Sequence, residues 1–231
     1  MAVLLNNVTI PVRHTEEMLR KKVAKLLHLS LRELGEIEIV RRSIDARKKP
    51  ELYYVYLLRL CLPGEERFRK LPNVTLDTRK PYVLPPRGEI RLTSRPVIIG
   101  TGPAGLFAGL MLAEAGYQPI LLERGLPAAA RKQVVDAFWA GAPLHPDCNV
   151  SFGEGGAGTF SDGKLNTLVK DNAGRNRKVL ELFCKFGADS SILYEQKPHV
   201  GTDRLISIVT AMREEIQRLG GEIRFSSRAV D

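Results

Sequence analysis

The run PVIIGTGPAGLFAGLMLAEAGYQPILLERG, residues 96–125, constrains the fold more than any other part of the chain. Val97-Ile98-Ile99 and Pro119-Ile120-Leu121-Leu122 are short, almost wholly apolar runs, as strands covered on both faces require. Between them a GxGxxG turn (Gly100, Gly102, Gly105) opens a helix expected to reach Ala115 and to stop at Gly116. This order is a β-α-β unit of a parallel sheet. Gly100 permits the tight turn off the strand, Gly102 lets the backbone approach a pyrophosphate, and Gly105 lets the helix pack close to the sheet. The phosphates would rest on N–H groups at the positive end of the helix. Ala108 and Gly109 keep the same helix face small. Glu123 ends the second strand at the distance where an acid meets the adenosine ribose hydroxyls. The run therefore reads as a dinucleotide site. Its glycines do not separate FAD from NAD, and the acid argues against NADP.

A second glycine loop occupies residues 151–165, SFGEGGAGTFSDGKL. Gly153, Gly155 and Gly158 again spell GxGxxG, but only NVSF precedes them as a candidate strand. The segment after them, with Ser161, Asp162 and Gly163, is a poor helix, so no second dinucleotide fold is expected. Glycine at this density, among Ser, Thr, Asp and Lys, reads as backbone that approaches a cofactor rather than as a plain flexible loop.

The rest of the chain supplies the frame. NVTIPV (7–12) reads as a strand, and Thr15 as the N-cap of a helix to about Leu27. The β-rich runs on either side of KKPE read as a hairpin. This β-α-β-β order suggests a small α+β module of ferredoxin-like type. Residues 71–96, crowded with proline, read as a connector, with a domain boundary near residue 90. Later helices are expected around Val179–Phe186, ended by Gly187, and from a cap at Thr202 to Leu219, followed by a strand EIRF. The fold expected is thus α/β: a Rossmann-like parallel sheet over residues 91–231, preceded by a small basic α+β module over residues 1–90.

Composition narrows the class. Residues 1–95 hold 20 Lys and Arg against 11 Asp and Glu, while the remainder holds 15 of each, so the net +9 lies entirely in the first part. That charge reads either as a solvated surface or as a face for nucleic acid or an acidic partner. Arg41, Arg42, Arg47, Lys48 and Lys49 cluster there with Tyr53, Tyr54 and Tyr56 nearby, without a recognisable RNA-binding motif. No apolar run is long enough to span a bilayer and the N-terminus lacks a secretory pattern, which leaves the cytoplasm as the expectation. Cys61, Cys148 and Cys184 are odd in number and form no CxxC, which fits free thiols in a reducing compartment, with Cys184 read as core. The four histidines show no metal-ligand spacing; His199, near a helix start, reads as a surface residue before an acid–base group.

With its LLERG ending, the 96–125 run resembles the FAD-binding motif of two-dinucleotide-binding-domain flavoproteins. FGEGGAGTFSDGKLNT, together with RRSIDARKK and KPHVGTDRL, is similar to a family of bacterial, largely uncharacterised FAD-dependent dehydrogenases, over about residues 5–231. The resemblance implies non-covalent FAD with its pyrophosphate at Gly100, Gly102, Pro103, Ala104 and Gly105. It implies the ribose at Glu123, Arg124 near the adenosine half, and Gly155, Gly156, Ala157, Gly158 and Thr159 towards the flavin. Members of that family continue past residue 231 with the last strands of the FAD domain, a Gly-Asp motif on the ribityl chain and the substrate region, so a truncated chain is expected. The function expected is an FAD-dependent oxidoreductase of unknown substrate. NAD(P)H as its reductant is left open by the lack of a second β-α-β fingerprint. The alternatives are a flavin-binding scaffold with a basic module for nucleic acid or an acidic protein, and an inactive fragment with an open sheet edge.

Overall fold

The computed structural model describes residues 2–90, 92–160, 163–165 and 169–230. It is a mixed α/β structure with one antiparallel and one parallel sheet, and it divides into two compact units. The first unit is residues 2–81 with Asp171–Arg177 and Ser190–Pro198; the second is Tyr82–Lys170, Lys178–Asp189 and residues 199–230. Residues 82–90 and 92–95 belong to the second unit, where Arg87 and Arg95 are bound. Arg87 lies over the Tyr117 ring at 5.3 Å, and Arg95 donates to the Gln118 carbonyl at 2.7 Å.

In the first unit, β1 (Val3–Pro11), α1 (Glu16–Leu27), β2 (Ile37–Asp45), β3 (Tyr53–Leu60) and β4 (Val74–Leu76) build an antiparallel sheet of order β2-β3-β1-β4. β1 begins earlier than its NVTIPV core. Val3 and Leu5 are buried in one phase of the strand, Val8 and Ile10 in the other. A register shift between Leu5 and Val8, where Asn7 takes φ 56°, resets the alternation. All four side chains thereby join one core with Tyr56, Leu58 and Leu60 of β3. α1 starts where its cap is: the Thr15 hydroxyl accepts from Met18 N at 3.2 Å, and Leu19, Val23, Ala24 and Leu27 face the core. β4 lies inside the stretch that proline content marks as a connector; its three residues pair with Val3–Leu5.

The second unit holds β5 (Val97–Ile99), α2 (Pro103–Glu114), β6 (Ile120–Leu122), α3 (Ala128–Trp139), α5 (Thr202–Arg218) and β7 (Glu222–Arg224). The strands are parallel in the order β5-β6-β7, with Ile98 opposite Leu121 and Leu121 opposite Ile223. α2 packs on α5, whose Leu205, Ile208, Val209, Met212 and Ile216 form the buried stripe. Thr202 is the first helical residue of α5, not its cap; Gly201 holds the cap position with no side-chain hydrogen bond. α4 (Arg175–Lys185) begins before the expected Val179, because the Asp171 carboxylate accepts from Arg175 N and Arg177 N at 2.7 and 3.1 Å. α3 interrupts its buried stripe with an arginine (Ala128, Arg131, Val135), which hides it from an apolar-periodicity reading. Ser161 and Asp162 lie outside the described residues. No helix among the described residues is long and apolar enough to cross a membrane.

One electrostatic feature of the first unit sets its response to acid. Asp77, just past β4, accepts from Arg79 Nε at 2.8 Å and from Arg59 Nε at 2.8 Å, and its side chain is 6% exposed. The two guanidinium groups hold its carboxyl well below the usual carboxylate range, Arg79 most strongly. A depressed carboxyl stabilises the fold above its unfolded pKa of about 4 and loses that contribution as pH falls below it. Asp77→Asn is expected to lower the urea midpoint at pH 7, and the deficit relative to wild type should shrink as pH falls below about 4. A deficit independent of pH would show that Asp77 acts through packing alone.

Candidate functional site

Three loops converge at the carboxyl ends of β5 and β6. Thr101, in the turn after β5, is the hub. Its N–H and hydroxyl both donate to Glu123 Oε2 at 2.8 Å, and its carbonyl accepts from Gly155 N at 2.9 Å. Glu123 is 3% exposed, and its other oxygen accepts from Gly125 N at 2.8 Å. The carboxylate assigned to a ribose from the sequence is thus first a staple between the turn after β5 and the loop after β6. Three protein donors occupy most of its roughly four acceptor directions and leave one for a hydroxyl.

The start of α2 carries no such satisfaction. Gly102 is its cap residue, Pro103 its first helical residue, and the first turn has neither a side-chain cap nor an acid. The N–H groups of that turn are therefore an unneutralised positive end. Gly102 and Pro103, where that helix begins, line a cavity of about 520 Å³ together with residues from all three loops and from the segment after β7. A Cβ built on Gly102 would meet no described heavy atom within 4 Å, so nothing in the packing forbids a side chain there. Gly105 is different: a Cβ would stand 2.0 Å from the Gly100 carbonyl oxygen, so only glycine lets α2 lie this close to the turn.

The expected site residues divide between two cavities. Gly100, Gly102, Pro103, Glu123, Arg124, Gly156 and Ala157 line the larger one. Gly155, Gly158 and Thr159, with Pro103 shared, line a second, apolar cavity. Ala104 is exposed on the first turn of α2, and Gly105 seals the turn without lining either. Arg124 lies flat over Phe152, 3.7 Å from the ring centroid and 3.9 Å from Asp147 Oδ1, a stacked pair at the edge of the larger cavity.

The residues that hold the second glycine loop carry no motif in the sequence. Arg131 of α3 is fully buried. Its Nε donates to Asn149 O at 2.9 Å, Nη1 to Glu154 O and Gly156 O at 2.8 and 3.0 Å, and Nη2 to Val150 O at 3.1 Å. The Phe160 ring covers one face of the guanidinium at 4.6 Å. Gly156, at φ 73°, brings the loop onto Pro103; a Cβ there would stand 2.7 Å from Pro103 Cδ. Glu154, also fully buried, accepts from Ala128 N at 2.6 Å and Arg213 Nη1 at 2.9 Å. Burial pushes its carboxyl above the ordinary range, against the opposing pull of those two donors. Among the described residues, no group of three or more His, Cys, Asp or Glu could hold a metal ion.

In the first unit, two of the five clustered cations are already engaged. Arg42 is paired with Glu195 and lies over the Tyr54 and Tyr194 rings at 4.6 and 5.1 Å; Arg47 is paired with Asp45 at 2.7 Å. Tyr54 and Tyr56 pack edge-on against His14. Cys184, read from the sequence as core, is half-buried, whereas Cys148 is buried and Cys61 exposed.

Arg131→Met would keep the stem and remove the donors. With four buried carbonyls losing their partner, each worth about 1–3 kcal/mol, a loss on the order of 3 kcal/mol or more is expected by urea denaturation. A loss under about 1 kcal/mol would mean that the loop holds its shape without the guanidinium.

A family described as a domain of unknown function (DUF8436) matches residues 3–61, from β1 to the end of β3. A protein of Clostridium beijerinckii (strain ATCC 51743 / NCIMB 8052), described as uncharacterized, is 40% identical over 231 residues, covering 99% of this chain and 43% of that protein. The chain therefore spans less than half the length of the relative it matches.

Proposed function

We propose that the second unit is a Rossmann-like domain that binds FAD non-covalently, and that it serves an FAD-dependent oxidoreductase of the dehydrogenase type, working in the cytoplasm. One observation carries the reading: the uncapped, acid-free start of α2 opens on a cavity of about 520 Å³ at the carboxyl ends of parallel strands. That is where open α/β sheets bind their ligands. In this reading the first-turn N–H groups of α2 and the open face of Gly102 receive the pyrophosphate. Glu123 offers its remaining acceptor direction to a ribose hydroxyl, and Arg124 on Phe152 borders the adenosine half. Gly156 and Ala157 of the second glycine loop, which Arg131 holds, meet the cofactor. FAD supplies a two-electron acceptor that no side chain offers. The chain's part is to bind it, fix its orientation and shield it from water. The preference for FAD over NAD rests on the resemblance of the LLERG run and the FGEGGAGTFSDGKLNT loop to flavoprotein motifs. The first unit, with its β-α-β-β order and strand order β2-β3-β1-β4, fits a ferredoxin-like topology whose second helix is reduced to the 3-10 turn Glu65–Lys70.

The test is an absorbance spectrum from about 300 to 550 nm after desalting the chain from added FAD, with FMN as control. Retained flavin bands with FAD and not with FMN are expected. Gly102→Ala should change stability by no more than about 1 kcal/mol, because its Cβ meets no protein atom, yet lower FAD retention by roughly tenfold or more. Equal retention by Gly102→Ala and wild type would overturn the assignment of the pyrophosphate to this turn.

A further inference from the structure

The second glycine loop has two sides. Gly156 and Ala157 face the larger cavity; Gly155, Gly158 and Thr159 face an apolar cavity of about 270 Å³ enclosed by α2, α4, α5 and the loop. Pro103 lines both, so the two spaces share one wall. Protein interiors are close-packed, and voids much larger than a water molecule are few. An apolar void of about 150 Å³ is already large enough to stay dry and take up benzene. The walls are suited to a ring: Phe107 of α2 and Phe183 of α4 meet here with centroids 5.5 Å apart at 59°, and Val209 and Met212 of α5 close the far side.

A second observation points the same way. Gly158 sits inside the 3-10 turn Ala157–Phe160, and its φ is not in the left-handed region. A Cβ at this position would meet no heavy atom of the described residues within 4 Å. Neither backbone strain nor close packing selects glycine there, and in such a conformation glycine costs about 0.5–1 kcal/mol relative to alanine. Gly158 lies on the cavity lining, so a larger side chain there has open space beside the cavity. Thr159 spends its hydroxyl on the Glu154 carbonyl at 3.4 Å, which leaves the wall apolar. Lys164, also on the lining, is exposed.

We propose that this cavity binds a flat, largely apolar small molecule of one or two rings. That the molecule is the oxidoreductase substrate rests on the reading of the larger cavity as the FAD site; that it binds does not. A naphthalene ring, made soluble by a carboxylate, is a simple member of the class.

The probe is 2-naphthoate, titrated into the chain by isothermal calorimetry with and without FAD. Wild type is expected to bind one equivalent in the sub-millimolar range. Val179→Trp, which fills the cavity from α4, and Gly158→Leu, which fills it from the loop, should each weaken binding by roughly tenfold or more while keeping a cooperative melt. Val179→Trp should retain FAD as wild type does. No binding by wild type, or undiminished binding by either folded variant, overturns the inference. Cavity-dependent naphthoate binding by a chain that loses FAD on desalting would sink the FAD reading and leave this site standing. FAD retention without naphthoate binding would do the reverse.

Discussion

The Arg131 guanidinium has no contact with solvent, and the second glycine loop is built round it. A buried charge costs several kcal/mol unless its donors are met, and here four backbone carbonyls and an aromatic face meet them. The arrangement is reciprocal. α3 has no side-chain cap of its own, and the carboxylate that accepts its first N–H comes from Glu154 on the loop. One turn further along the same helix, Arg131 grips the carbonyls on either side of Glu154. Helix and loop thus complete each other, so neither has a satisfied backbone alone. A glycine-rich segment that would otherwise sample many conformations is fixed by hydrogen bonds, without an apolar core of its own.

The same economy extends to the first glycine turn. Thr101 spends its N–H, hydroxyl and carbonyl on the two neighbouring loops, and Glu123 accepts from three donors. No buried side-chain nitrogen or oxygen among the described residues lacks a partner. The positive end of α2 stands out against that background. A protein that satisfies its buried groups this thoroughly leaves a helix start bare and a cavity in front of it. Unmet donors at a helix start favour an anion over a neutral ligand. Pro103 and the loop form a wall common to this space and to the more apolar one beside it.

How much of this is legible in the sequence depends on how local each signal is. The strand-turn-helix of Gly100–Gly105, the Thr15 cap and the hairpin round KKPE depend on neighbours a few residues apart, and each lies where the pattern puts it. Signals that depend on distant partners are not legible. Arg131 sits in α3 among ordinary helix formers, and only the carbonyls at residues 149–156 explain it. The sequence places Glu123 at a strand end, where it does lie, but gives no sign that its first partners are Thr101 and Gly125. Thr202 has a cap's chemistry one residue late, since the chain enters α5 through Gly201. The phase change in β1 hinges on Asn7, whose positive φ no apolar pattern reveals.

In the first unit, charge and fold are separable. Arg59, Arg69 and Arg79 are paired with carboxylates. Other cations are used as donors to backbone, as Arg20 is to the Leu34 carbonyl at 2.7 Å. Exposed pairs contribute about 0–1 kcal/mol each, and donation to a carbonyl leaves the positive charge in place. The surplus therefore persists as a field, which acts on solubility and on the approach of charged molecules. It cannot explain why β1 to β4 and α1 come together. That comes from Val3, Leu5, Val8 and Ile10 on one strand meeting Leu58 and Leu60 on the next, under Leu19, Val23 and Leu27 of the helix. Each such side chain contributes about 1.5–3 kcal/mol on burial, several times an exposed ion pair. Apart from cations that hold buried partners, such as Arg59 and Arg79 on Asp77, the surplus charge is not what brings the strands and helix together.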